Sequence, residues 1–167
     1  MDFEKFDNGT EFSLGAELEL RLLYKDTLQL ANEYAYIYEH LDKKYQRNIS
    51  PEFLDSMVEI NSPVFNTPCE IKEYFQKCVK SIKHIASKKS LLVSTSGCYS
   101  LKNDNIKIGD NPRYKTILNE HQILIRDFNI CGLHVHVGFK DFDQALKAYN
   151  FSLKYIPLLL SISTSSP

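Results

Sequence analysis

The sequence predicts an α+β fold: an antiparallel sheet of about four strands with about four helices packed on one face. Three segments carry that prediction, because each alternates polar and apolar residues with the period of two that a strand imposes. In Gly15-Ala16-Glu17-Leu18-Glu19-Leu20-Arg21-Leu22, the residues Glu17, Glu19 and Arg21 share a side with Gly15, while Ala16, Leu18, Leu20 and Leu22 take the other. In Met57-Val58-Glu59-Ile60-Asn61-Ser62-Pro63, Glu59 and Asn61 stand opposite Val58 and Ile60. In Cys131-Gly132-Leu133-His134-Val135-His136-Val137-Gly138, two imidazoles face one way and Leu133, Val135 and Val137 the other. Gly132 and Gly138 lie in register with the histidines, where a missing side chain leaves room for a ligand to reach the backbone.

The remaining elements follow in chain order. Apolar residues from Leu28 to Tyr45 recur at mostly helical spacing and predict a helix there. Thr67-Pro68-Cys69-Glu70 is a helix start, with Thr67 as cap, proline in the first turn and Glu70 in capping-box register, and the helix should run to about Ala86. Leu91 to Ser96 reads as a strand, Gly97 to Asn111 as a polar loop, and Pro112 to Ile125 as a helix. Asp141 or Asp143 then caps a helix from about Gln144 to about Ser161, kinked or divided at Pro157.

If the three patterned strands pair, their polar faces gather Glu17, Glu19, Glu59, His134 and His136. Carboxylates held that close repel one another and stay protonated or splay apart unless cations lie between them. An oxygen-dominated donor set suits Mg²⁺ or Mn²⁺, and an admixed imidazole shifts the balance towards Mn²⁺ or Zn²⁺. The competing reading is an ordinary solvated sheet face, and agreement among three separate segments argues against it. Arg21 and Arg113 are candidates to bring positive charge to a phosphate or carboxylate, Arg113 in a catalytic role and Arg21 on a cofactor.

The chain also resembles a known family. Leu14-Gly15-Ala16-Glu17-Leu18-Glu19, the stretch from Glu52 to Phe65, Arg113-Tyr114, Cys131 to Gly138, and Ile156 to Pro167 follow in order the pattern of the carboxylate-amine ligases related to glutamate-cysteine ligase, within the glutamine-synthetase-like superfamily. The resemblance covers the amino-terminal portion of that pattern. It implies that residues 1–167 form a single domain, part of a funnel-shaped sheet that holds ATP, Mg²⁺ ions and an amino-acid carboxylate. It implies transfer of the ATP γ-phosphate to a glutamate-like carboxylate, then attack by an amine such as that of cysteine on the acyl phosphate. Position by position, it makes Glu17, Glu19 and His134 metal ligands, gives Glu52 and Glu59 to metal or amine substrate, and gives His136 to nucleotide or metal. No covalent nucleophile is required of the protein for such a reaction.

Two positions depart from the pattern. Gly97-Cys98-Tyr99-Ser100 stands where many relatives have Gly-Thr-His-Pro, and Leu18 stands where relatives often carry a third acidic residue. The family pattern also continues past the position of Pro167. Three expectations follow: a piece of a longer protein, a short chain that completes its site with another subunit, or a domain that binds metal and amino acid without chemistry.

Composition narrows the partners. A 167-residue chain that is 43% hydrophobic and 25% charged is ordinary for one soluble domain, and a net charge of −1 gives no field for nucleic acid. The expected partners are small-molecule substrates, with homo-oligomer formation open. Cys69, Cys78, Cys98 and Cys131 lack paired spacing for zinc and read as buried free thiols in a reducing compartment. The acidic start from Met1 to Asp7 is unlike an export signal. The apolar run from Tyr155 to Ile162 is far short of the ~20 residues a membrane span requires, so the expected address is the cytoplasm.

Overall fold

The computed structural model describes residues 10–101, 107–121 and 130–163, leaving aside the side chains at 113, 115, 118, 120 and 121. Among these residues a single antiparallel sheet is built from β1 (Leu14–Tyr24), β2 (Ile49–Pro51), β3 (Met57–Asn61), β4 (Leu91–Ser94) and β5 (Leu133–Val137). The helices are α1 (Tyr34–His40), α2 (Lys43–Gln46), α3 (Pro68–Ser87), α4 (Pro112–His121), α5 (Phe142–Ser152) and α6 (Ile156–Ile162), the last two joined by a 3-10 turn at Leu153–Tyr155. The fold is therefore the antiparallel sheet with helices that the alternating segments predict.

The long strand β1 organises the sheet. One edge pairs with β3, which pairs in turn with β2. Its other edge is shared: β5 takes Leu14 to Leu18, and β4 takes Arg21 to Tyr24. Glu19 sits at the junction, where its backbone N–H donates to the Gly132 carbonyl at 3.1 Å.

On the apolar side, Leu20 and Leu22 of β1 and Val58 and Ile60 of β3 are fully buried against Cys78, Ile82, Ile85 and Ala86 of α3. A helix returns to the same face every seven or eight residues, so these positions form one stripe. Its start is as the sequence indicates: the Thr67 hydroxyl oxygen accepts from the Glu70 N–H at 3.3 Å, and Glu70 Oε2 accepts from the Thr67 N–H at 2.9 Å. Helix α4 is anchored elsewhere, its Tyr114 ring edge-on to Phe53 and its hydroxyl donating to the Pro51 carbonyl at 3.2 Å.

Three sequence expectations change. The helix expected from Leu28 begins only at Tyr34, because the preceding residues serve the sheet: Leu28 has a positive φ of 58°, Leu30 bridges to Leu23, and the Ala31 N–H donates to the Leu22 carbonyl at 2.9 Å. Among the described residues no helix covers the apolar face of β5, and Leu133 and Val135 are 62% and 61% exposed. Cys69 is an exposed thiol on the first turn of α3, while Cys78 is buried; all four cysteines are free. The carboxyl-terminal helix keeps its Asp141 cap, which accepts from the Gln144 N–H at 2.8 Å, and divides before Pro157 as expected. The part of the 112–125 helix after His121, and the part of the polar loop from 102 to 106, lie outside the described residues.

Candidate metal and nucleotide site

Strand register brings the acidic residues together. Glu19 of β1 pairs with Glu59 of β3, and Glu52 arrives from the loop between β2 and β3, its Oε2 accepting from the Phe53 N–H at 2.8 Å. One carboxylate oxygen from each of Glu19, Glu52 and Glu59 lies within 4.8 Å of the others. Burial and the adjacent Glu52 push Glu59 up to about 7, against a hydrogen bond from Asn61 Nδ2 to Glu59 Oε1 at 2.7 Å that favours the anion. A carboxyl pushed towards neutrality beside two others marks a place where negative charge is crowded, and a cation there would relieve it. Three hard oxygen donors fit Mg²⁺ or Mn²⁺ by chemistry.

A second group adjoins the first across β1 and β5. Glu17 pairs with His134 in the register, and Gly15 pairs with His136. The Glu17 carboxylate lies between the two imidazoles, 2.9 Å from His134 Nδ1 and 3.2 Å from His136 Nε2. The hydrogen bond from His134 holds Glu17 below the usual carboxylate range, and the same bond raises His134. Glu17 and His134 are thus a carboxylate and an imidazole of the kind that ligate divalent ions together.

Pockets open on both groups. One of about 370 Å³ is lined by Glu19, Glu52, Phe53, Met57, Gly132 and His134, among others. Another of about 400 Å³ lies by Glu17, Asn61, Ser62 and His136. The most spacious of the three, about 740 Å³, lies on the opposite, apolar side of the sheet and holds none of these groups.

The two glycines do less for a ligand than their spacing indicates. A Cβ at Gly138 would lie 2.3 Å from Ser13 Oγ and 2.7 Å from the Thr10 carbonyl, so its space is taken by this chain. At Gly132 a Cβ would meet His134 Nε2 at 3.0 Å and Glu19 Oε1 at 3.4 Å, and the Gly132 N–H donates to Glu19 Oε2 at 2.7 Å. That amide fixes the Glu19 rotamer, a contribution that strand alternation does not reveal.

Arg21 is 1% exposed, 5.4 Å beneath the Tyr99 ring, and among the described residues its Nε and Nη2 have no hydrogen-bond partner. Its register partner Met57 and its strand neighbour Glu19 both line the smaller pocket, so it stands behind that pocket and not at its surface. Arg113 falls on the first turn of α4, and its side chain lies outside the described residues. Cys131 also lines the pocket, and burial lifts its thiol to about 11.

The model of glutamate-cysteine ligase family 2 matches residues 13–167, the whole span that contains both groups. The chain belongs to this family. It is 32% identical over 163 residues to a protein of Trichormus variabilis named "Putative glutamate--cysteine ligase 2", covering 98% of this chain and 42% of that one. An Acidovorax ebreus protein of the same name is 31% identical over 170 residues, covering 100% and 45%. The chain therefore spans less than half the length of these relatives. Among solved structures, the Francisella tularensis glutamate–cysteine ligase in complex with AMP superposes with a TM-score of 0.56 at 14% identity, over 89% of this chain and 30% of that one. A bifunctional glutathione synthetase from Pasteurella multocida gives 0.54 at 13%, over 87% and 19%. At such identities the likeness shows a shared fold. No helix among the described residues of this glutamate-cysteine ligase family member is long and apolar enough to cross a membrane.

Proposed function

We propose that this chain is the metal- and nucleotide-binding part of an ATP- and Mg²⁺-dependent ligase. The reaction would join a glutamate-like carboxylate to an amine such as that of cysteine through an acyl phosphate. The single observation that carries this reading is the convergence of Glu19, Glu52 and Glu59 from three places in the chain. Family membership and a fold shared with a ligase solved with AMP support it. We further propose that residues 1–167 form one domain working in the cytoplasm.

Glu19, Glu52 and Glu59 would hold one divalent ion, and Glu17 with His134 a second. Bound there, Mg²⁺ would neutralise the charge of ATP phosphates. The protein's own groups do the rest. Glu59, ionised when it holds the ion and oriented by the Asn61 amide, would also place negative charge where the amine substrate enters. His136 faces the pocket beside Asn61 and Ser62 and would contact the nucleotide. Arg21 contributes a fixed positive charge behind the acidic groups, which limits their mutual repulsion. Arg113 is assigned to a phosphate or carboxylate.

Calorimetry of this chain with Mg²⁺-ATP, glutamate and cysteine, with product analysis, tests the proposal. Metal-dependent ATP binding with dipeptide formation supports the ligase. Binding without product supports a second reading, favoured by the chain's covering 42–45% of its relatives, in which it supplies part of a composite site. Binding of neither ligand refutes both.

A further inference from the structure

Each carboxylate of the acidic trio is tethered by an amide N–H through one of its two oxygens. The Gly132 N–H donates to Glu19 Oε2 at 2.7 Å, and the Phe53 N–H donates to Glu52 Oε2 at 2.8 Å. Asn61 Nδ2 donates to Glu59 Oε1 at 2.7 Å. Among the described residues no N–H reaches the second oxygens, Glu19 Oε1, Glu52 Oε1 and Glu59 Oε2. Each residue therefore offers the centre of the trio one uncommitted oxygen.

The donors are themselves held in place. Gly132 is tied to β1, its carbonyl accepting from the Glu19 N–H at 3.1 Å, and the Phe53 carbonyl accepts from the Gly109 N–H at 3.0 Å. Asn61 is a side chain, but its amide nitrogen is engaged twice, donating to Ser50 Oγ at 2.8 Å as well as to Glu59. Strand geometry explains that span. Ser50 of β2 stands directly opposite Glu59 of β3, and Asn61 follows Glu59 by two residues on the same face.

Ligation through both oxygens of such a carboxylate would turn it away from its N–H donor. Hydrogen bonds from amides to carboxylates at these lengths are among the stronger ones, so the turn is opposed. Cations differ in whether they need it. Ca²⁺ takes about 6–8 oxygens and commonly both from one carboxylate, whereas Mg²⁺ takes single oxygens in a near-octahedral shell completed by water.

We infer that the three amide tethers make the trio selective for a small octahedral cation over Ca²⁺, with Asn61 as the side chain that sets the selectivity. Resting on the reading that the trio holds a divalent ion, this gives Asn61 a positioning role, exerted through Glu59.

Calorimetric competition of Mg²⁺ and of Ca²⁺ against Mn²⁺ on the metal-free 167-residue chain tests this, without nucleotide or turnover. Wild type should favour Mg²⁺ over Ca²⁺ by at least about tenfold. Asn61→Ala releases Glu59 Oε1 and should narrow that ratio at least about threefold, chiefly by tightening Ca²⁺. Ser50→Ala removes only the brace behind Asn61. It should narrow the ratio in the same direction, and it carries the test if Asn61→Ala does not melt cooperatively. The narrowing should persist in a Glu17→Gln background, because Glu17 faces the two imidazoles and stands outside the trio. A wild type indifferent to the two ions, an Asn61→Ala that weakens both ions equally, or a narrowing that vanishes in Glu17→Gln would overturn the selectivity and leave the ligase reading standing. A chain that binds no divalent ion would overturn both.

Discussion

Glu19 and Glu59 stand directly opposite each other across the antiparallel pair of β1 and β3. Like charges at such positions destabilise a sheet, and Glu52 approaches the same point from a loop. The proposed cation would relieve this repulsion among all three carboxylates.

The cost is measurable in the metal-free protein. Glu59 titrates at about 7 in the fold, above its ordinary value of 4.5, so between those pH values the native state retains a proton that the unfolded chain has released. Stability therefore falls as pH rises through this window. Glu59→Gln keeps an acceptor for Asn61 and removes the charge. It should raise stability by about 1–2 kcal/mol at pH 8 and change little at pH 4, a screened fraction of the full shift. Urea unfolding at the two pH values, in the presence of a chelator, checks this.

The pairing of Glu17 with His134 has the opposite sign. His134 is raised and Glu17 lowered, so their attraction stabilises the fold only where the imidazole is protonated and the carboxylate ionised. It is lost as pH climbs through the folded value of His134 and as pH drops through that of Glu17. NMR titration should place His134 above the ordinary imidazole value of about 6.5, and Glu17→Gln should bring it down.

Gly138 is required for a steric reason. Gly138→Ala sets a methyl against the Thr10 carbonyl and Ser13 Oγ, and should cost about 1–3 kcal/mol. Gly15→Ala is the control, because its Cβ would find its nearest neighbour, His136 Cβ, at 3.9 Å. Thermal melts of the pair separate crowding from general glycine loss.

Local pattern made much of this fold legible. Alternation placed Glu17 and Glu19, Glu59, and His134 and His136 on the polar faces of their own strands, their gathering being conditional on strand pairing, and the Thr67–Glu70 box announced α3 to within a residue. Features that depend on distant pairing were not legible from periodicity. Glu52 belongs to no patterned strand and reaches the site only because β2 pairs with β3. The division into an acidic trio and a Glu17–imidazole group is a consequence of register. The stretch from Leu28 to Ala31 has helical spacing but gives its hydrogen bonds to β1, a tertiary choice that overrides propensity. The open face of β5 reads from sequence as core, since nothing in Leu133, Val135 and Val137 says what covers them.

Titration of the metal-free chain with Mn²⁺, followed by calorimetry, tests the central claim most directly. Wild type should bind saturably, and Glu19→Gln and Glu52→Gln should each weaken binding at least about tenfold while melting as cooperatively as wild type. Equal Mn²⁺ affinity in all three proteins would contradict the account.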